Sequence, residues 1–384
     1  MSNRQLNILF LASWYPNKAI PTLGNFIQRH AEAVATRHHV TVLYVCLLAD
    51  QQEKWKVEES LENGVRTILV YGKKGKFGWW KKFLGFRKGI EWLKKGNRFQ
   101  FDLVHQNVIW PDGWQAWWLK RKEGIPYVIT EHWTGFDQSI RNDQSAFLKP
   151  LSKLVAGGAS AICPVTNNLA EVMRKFGLQG RYVIVPNVVD TSIFHPAQIA
   201  GSTQKFLHVS TLNDAHKNIS GILRVWKKVS DRYPDIHLEI GGEGDIQHYS
   251  QVADKLGIRK TSLTFFGEKK WREIAKMMSV SHTLILFSNY ENLPCVVVEA
   301  MASGMTIIST DVGGIKEHVT SDHGILIPRG DENALEEAIS EMVQHHHRFD
   351  RKEITEYGNH TFSNERVAEL YTSVYNLALG NKKN

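Results

Sequence analysis

Several things are scarce or missing in this 384-residue chain, and each argues against a class of function. It has only three cysteines, Cys46, Cys163 and Cys295, far apart and without Cys-x-x-Cys or histidine spacing. A disulfide framework and a cysteine-based zinc site are thereby excluded, and a reducing cytoplasm is the expected location. Apolar runs are short: none approaches the ~18 residues that a spanning helix needs. The chain starts directly in a strand-like run with no signal-peptide layout, so neither a transmembrane protein nor export by the usual route is expected. No Gly-x-Gly-x-x-Gly follows the first strand, which argues against a nicotinamide dehydrogenase. There is no Asp-x-Asp sequence and no metal-ligand cluster, so no metal or other cofactor is expected.

Charge, by contrast, is plentiful and uneven. Residues 1–190 carry 26 Lys and Arg against 15 Asp and Glu, which leaves 21 against 24 for the remainder. A basic half beside a weakly acidic half suggests that the first half meets something anionic; a solvated basic surface is the plainer alternative.

Strand-like and helix-like segments alternate throughout. Strands are expected at 6–13, 40–48, 65–71, 101–105, 127–131, 161–165 and 182–185, then at 205–210, 237–240, 263–266, 284–287, 306–309 and 325–327. Helical patterns fall between them, notably at 24–37, 79–95 and 114–122. Continuous apolar strands in such a series predict parallel sheets covered on both faces. Two series predict two Rossmann-like α/β domains, broken within 186–202, with their strand ends facing across a cleft. A helical stretch at 362–379 is expected to cross back to the first domain. The triplet His345-His-His347 reads as surface.

The most informative segment is Asn289-Tyr-Glu-Asn-Leu-Pro-Cys-Val-Val-Val-Glu-Ala-Met-Ala-Ser-Gly304. Glu291 follows a buried strand, and Asn292 and Pro294 read as a helix start. Glu299 then lies inside that helix. One acid at a strand end, another a turn into the next helix, and free N–H groups between them suit a sugar joined to a diphosphate and a ribose.

In this order, three motifs resemble the family-4 retaining glycosyltransferases of the GT-B fold (glycosyl transferases group 1). The first is Glu291 to Glu299 with Ala300-Met-Ala-Ser-Gly304 and Asp311-Val-Gly-Gly-Ile-Lys-Glu317. The second is Phe206-Leu-His-Val-Ser-Thr-Leu followed by His216-Lys217-Asn218. The third is Ile184-Val-Pro-Asn-Val-Val-Asp190 with Phe194-His-Pro196. The resemblance implies an acceptor-binding domain over 1–190, a nucleotide-sugar-binding domain over 200–361 and a returning helix over 362–384.

It also implies roles. Glu291 would bind donor-sugar hydroxyls, the N–H groups of Asn292 and Leu293 sugar and phosphate, and Glu299 the ribose. Lys217 would neutralise the diphosphate as it leaves; a surface lysine at a helix start is the alternative. Thr211 stands where family members often carry a second phosphate-binding Arg, so His216, Lys269 or Lys270 are candidate substitutes. Gly24 and Asn25 belong to a first loop that resembles the family's glycine-containing one, where a bare backbone can approach phosphate or the reacting sugar. His132 occupies the place of a histidine near the reacting sugar, and His105 is a weaker candidate; a buried structural histidine is the alternative for both. The implied reaction transfers a hexose from a nucleotide diphosphate sugar to a hydroxyl acceptor with retention and without a dedicated nucleophile.

Residues 72–98 hold ten basic residues against the single acid Glu91, with Trp79, Trp80, Phe83, Phe86, Ile90 and Leu93 interleaved. A basic amphipathic helix of this kind suits an anionic membrane. Trp79, Trp80, Lys81 and Lys82 are its candidate contacts, on the inner face of the plasma membrane, with a glycan or lipid-linked acceptor in polysaccharide or lipopolysaccharide synthesis. An ordinary domain helix burying its aromatics is the alternative, and nucleic acid is not an expected partner. A nucleotide-sugar epimerase, a sugar phosphorylase and a non-catalytic nucleotide-sugar-binding subunit remain rival functions on the same fold.

Overall fold

The computed structural model describes residues 4–136, 148–199 and 201–380. The chain forms two compact units, Met1–Val188 with Asn364–Asn384, and Val189–Ser363.

The first unit runs β1 (Asn7–Ala12), α1 (Asn25–Ala35), β2 (His39–Leu48), β3 (Trp55–Glu62), β4 (Val65–Lys73), α2 (Gly78–Lys95), β5 (Leu103–Asn107), α3 (Trp114–Glu123), β6 (Tyr127–Glu131), α4 (Leu148–Gly158), β7 (Ala161–Pro164) and α5 (Asn167–Phe176). Its sheet order is β3-β4-β2-β1-β5-β6-β7. All neighbours are parallel except β3 and β4. Ile8, Leu9, Phe10 and Leu11 on β1 are all fully buried, as a strand covered on both faces requires.

The second unit runs β8 (Gln204–Val209), α6 (Asp214–Lys217), α7 (Ile219–Arg232), β9 (Ile236–Gly241), α8 (Ile246–Leu256), β10 (Leu263–Phe266), α9 (Trp271–Ser279), β11 (Thr283–Leu286), α10 (Cys295–Ala302), β12 (Thr306–Thr310), β13 (Gly324–Ile327), α11 (Glu332–His345) and α12 (Arg351–Phe362). Its sheet is wholly parallel, in the order β10-β9-β8-β11-β12-β13. The last helix, α13 (Asn364–Ala378), belongs to the first unit and packs on α1 there.

Two elements differ from expectation. β3 was not anticipated: it is an antiparallel edge strand joined to β4 through Asn63 and Gly64, both at positive φ. Such a turn matches the twist of a hairpin. Residues 182–185 form no strand, only a bridge from Tyr182 to Ile162. The neighbouring β7 ends at Pro164, which has no N–H to extend the ladder.

Candidate functional site

In the second unit the strand order reverses between β8 and β11, where sheets of this kind hold ligands beyond the strand ends. The loop after β8 leads into α6, whose last residue is Lys217. Asn218 follows at φ 49 and caps α7, its Oδ1 accepting from the Gly221 N–H at 3.3 Å. α7 is anchored in turn by a buried stripe including Ile222, Leu223, Val225, Trp226 and Val229.

The loop after β11 meets Lys217 directly. The Lys217 ammonium donates to Glu291 Oε1, and the two side chains are only 17% and 11% exposed. Backbone contacts fix the same pairing: the Asn289 N–H donates to the His216 carbonyl at 2.8 Å, and Asn289 Nδ2 to that of Ala215 at 2.9 Å. The Tyr290 hydroxyl and His216 Nε2 are also hydrogen-bonded. On the other side, Gly313 has φ 61, and a Cβ there would lie 1.8 Å from the Glu291 carbonyl oxygen. The Gly314 N–H donates to the Asn292 carbonyl at 3.0 Å. The Asp311-Val-Gly-Gly turn therefore clamps the Glu291 backbone, and only glycine fits there.

Leu293 is buried, and α10 begins at Cys295 after Pro294. Glu299 lies in the second turn of α10 and is 6% exposed. Thr211 is exposed, its carbonyl accepting from the Asn213 N–H at 2.7 Å. Of the proposed substitute cations, His216 is engaged by Tyr290, and Lys269 lies 3.4 Å from Glu273 at the start of α9. The Lys270 N–H is held by Glu273 at 3.0 Å. A cation not anticipated from sequence, Arg329, donates to the Asn289 carbonyl at 3.4 Å. His208, fully buried on β8, bonds the Ile285 carbonyl at 2.8 Å and Ser210 Oγ at 2.7 Å. Burial lowers it to about 4; the Ile285 bond opposes the shift and Lys217 adds to it.

The first unit gathers its candidates at the carboxyl ends of β1 and β6. Gly24 precedes α1 at φ 65, and a Cβ there would lie 2.5 Å from the Trp14 carbonyl oxygen. The close approach that demands glycine is thus to the chain's own first loop, and Asn25 opens the helix. His132, partly buried, lies with its ring 4.5 Å from Phe26 and 5.0 Å from His30. Burial, then the His30 charge, holds its imidazole well below the usual range, with Asn187 opposing.

His105 is not at the site. It is fully buried beneath α13, bonded through Nδ1 to the Tyr375 hydroxyl at 2.7 Å and through Nε2 to Thr130 Oγ1 at 2.7 Å. Its expected acceptor role gives way to a structural one, because α13 covers β5. Lys82 is likewise committed, forming a largely buried ion pair with Asp112 at 2.5 Å. Lys81 donates to the Lys73 carbonyl at 3.0 Å. Trp79 and Trp80 are 72% and 47% exposed.

Residues 23–193 match the family described as Glycosyltransferase Family 4, and residues 190–361 match Glycosyl transferases group 1. The chain belongs to the group 1, family 4 glycosyltransferases. The transferase is 26% identical over 278 residues to an uncharacterized glycosyltransferase of Methanocaldococcus jannaschii, covering 68% of this chain and 72% of that one. It is 24% identical to the phosphatidyl-myo-inositol mannosyltransferase of Mycolicibacterium smegmatis, over 67% of this chain and 65% of that one. Among solved structures it resembles Anabaena HepE in complex with UDP and glucose, with TM-score 0.72 and 16% identity, over 96% of this chain and 99% of that one. The fold is GT-B.

One residue of this transferase had no role assigned from sequence. Glu131 ends β6, is fully buried, and accepts three backbone N–H bonds. The only signal was a carboxylate closing an apolar strand.

Proposed function

We propose that this glycosyltransferase moves a hexose from a nucleotide diphosphate sugar to a hydroxyl of a glycan or lipid-linked glycan, with retention of anomeric configuration. The observation that carries the reading is the Lys217–Glu291 pair at the strand reversal, with Glu299 buried in the helix that follows. In this reading Lys217 and the amino end of α10 stabilise charge on the departing diphosphate, without a metal ion. Glu291, already held by Lys217, accepts from donor-sugar hydroxyls, and Glu299 accepts from the ribose. The resemblance assigns His132 and the Gly24-Asn25 turn, both in the first unit, to contacts with a sugar. The leaving phosphate takes the acceptor proton, so positioning and charge stabilisation supply the rate.

The exposed aromatics refine the partner. Phe77, Trp79 and Trp80 are 75%, 72% and 47% exposed beside the exposed Lys73, Lys74 and Lys76. Phe86, Ile90 and Leu93, by contrast, are buried. The membrane-facing element in our reading is therefore the β4–α2 turn and the first turn of α2. No described helix is long and apolar enough to cross a membrane. Attachment would be peripheral, to an anionic leaflet on the cytoplasmic side, in cell-surface polysaccharide or lipopolysaccharide synthesis.

The test is nucleotide release from UDP-, GDP- and ADP-sugars with membrane lipid extract as acceptor, and NMR of the product's anomeric centre. Acceptor-dependent release from one donor, insensitive to EDTA and giving a product of unchanged configuration, is expected. Donor consumption without acceptor would favour an epimerase. Thermal stabilisation by nucleotide without turnover across the panel would favour a binding subunit.

A further inference from the structure

We propose that Glu131 is a positioning residue, holding the turn after β5 against the exit of β6 and so fixing the backbone that carries His132. The inference rests on the reading that His132 contacts a sugar. Two independent features of the first unit carry it.

The first is the carboxylate itself. Glu131 is 0% exposed, a costly place for a charge unless donors surround it. Its two oxygens are divided between two segments. Oε2 accepts from the Ile109 N–H at 2.9 Å, whereas Oε1 accepts from the N–H groups of His132 at 3.0 Å and Trp133 at 2.8 Å. A glutamine of the same shape has one acceptor oxygen and would turn an NH2 toward one of these donor groups. Packing alone does not call for a carboxylate here; bridging donors from both sides does.

The second is the backbone it grips. Val108, just before Ile109, has φ 66, the left-handed region that a β-branched residue avoids. It is held there from several sides. Its N–H donates to the Thr130 carbonyl at 2.8 Å, and its own carbonyl accepts from Ser13 Oγ at 3.1 Å and Gln106 Nε2 at 3.0 Å. Strain over-determined in this way gathers at functional sites. This one lies at the carboxyl ends of β1, β5 and β6, where the strand order of the first unit reverses.

The experiment compares wild type, Glu131→Gln and Ser13→Ala by local amide hydrogen exchange, by NMR of labelled histidine and by kinetics. For Glu131→Gln we expect a cooperative fold, faster exchange in 106–113 or 132–134, and a displaced His132 resonance. We also expect kcat lowered about 10–100-fold with donor affinity unchanged. Ser13→Ala, which loosens the same turn from β1, should show the same pattern more weakly. Unaltered exchange, or an unmoved His132 resonance with unchanged kcat, in a folded Glu131→Gln protein would overturn the proposal. If that variant does not fold, Ser13→Ala decides by the same criteria. If wild type shows no transferase activity, the transfer reading fails, and the exchange and His132 signals alone decide the role of Glu131.

Discussion

Lys217 and Glu291 satisfy each other, and removing either one strands the other. Leaving a partly buried charge unpaired costs about 1–3 kcal/mol or more, so Lys217→Ala and Glu291→Ala should each lower Tm as well as abolish turnover. The double substitution should be less than additive in Tm, which a double-mutant cycle by calorimetry would measure. Buried and half-buried histidines set the pH response. Burial is the leading cause holding His30 at about 3 and His38, His208 and His282 at about 4, all below the usual 6.5. The unfolded chain therefore binds more protons between these values, and stability present above pH 6.5 is lost as pH falls toward 4. Glu131, raised to about 7 mainly by burial, works in the opposite sense, losing stability as pH rises from its ordinary 4.5 to 7. Lowered histidines outnumber raised carboxyls, since burial also holds down His105, His132 and His318 and, among the described carboxyls, pushes up only Asp112 besides Glu131, so urea midpoints should fall between pH 7 and pH 5; a flat profile would contradict these assignments. At this scale sequence was a partial guide. Spacing and motif singled out Lys217 and Glu291, because loop chemistry at strand ends is local. It placed His105 wrongly, because nothing near residue 105 reports that α13, more than 250 residues on, covers it.

Elements were more legible than residues. Central parallel strands such as β1 are continuous apolar runs buried on both faces, which a sequence displays plainly. β3 escaped notice because its edge position leaves it charged, as in Lys56, Glu58, Glu59 and Glu62, and Glu59 interrupts the alternation of Trp55, Val57 and Leu61. Yet its Asn63-Gly64 turn was a hairpin signal in view. Residues 182–185 looked apolar enough for a strand, but Pro164 stops the partner. Two turns rest on glycine. Gly313→Ala would drive a Cβ into the Glu291 carbonyl. It should cost more than about 1 kcal/mol and impair donor binding. Gly24→Ala should cost a similar amount but leave nucleotide affinity intact. Calorimetry with nucleotide titration separates the two cases.

For the whole molecule, the uneven charge found in sequence has a physical counterpart in the first unit, where exposed lysines surround exposed tryptophans. Binding to vesicles containing anionic lipid should be strong at low salt and weaken as salt rises. Trp79→Ala with Trp80→Ala should reduce it without changing nucleotide affinity, by co-sedimentation. Equal binding to neutral vesicles would point away from a charged surface. The two-unit architecture was readable because each unit repeats the same strand–helix logic. The donor, the acceptor and the linkage were not, because they depend on loop contacts to single hydroxyls. The central claim, that the second unit holds a nucleotide diphosphate through Lys217, Glu291 and Glu299, is tested most directly by isothermal titration. UDP, GDP and ADP would each be titrated into wild type, Lys217→Ala and Glu299→Ala. One nucleotide should bind wild type, and each substitution should weaken it about 10-fold or more. Binding unaffected by both substitutions would contradict the account.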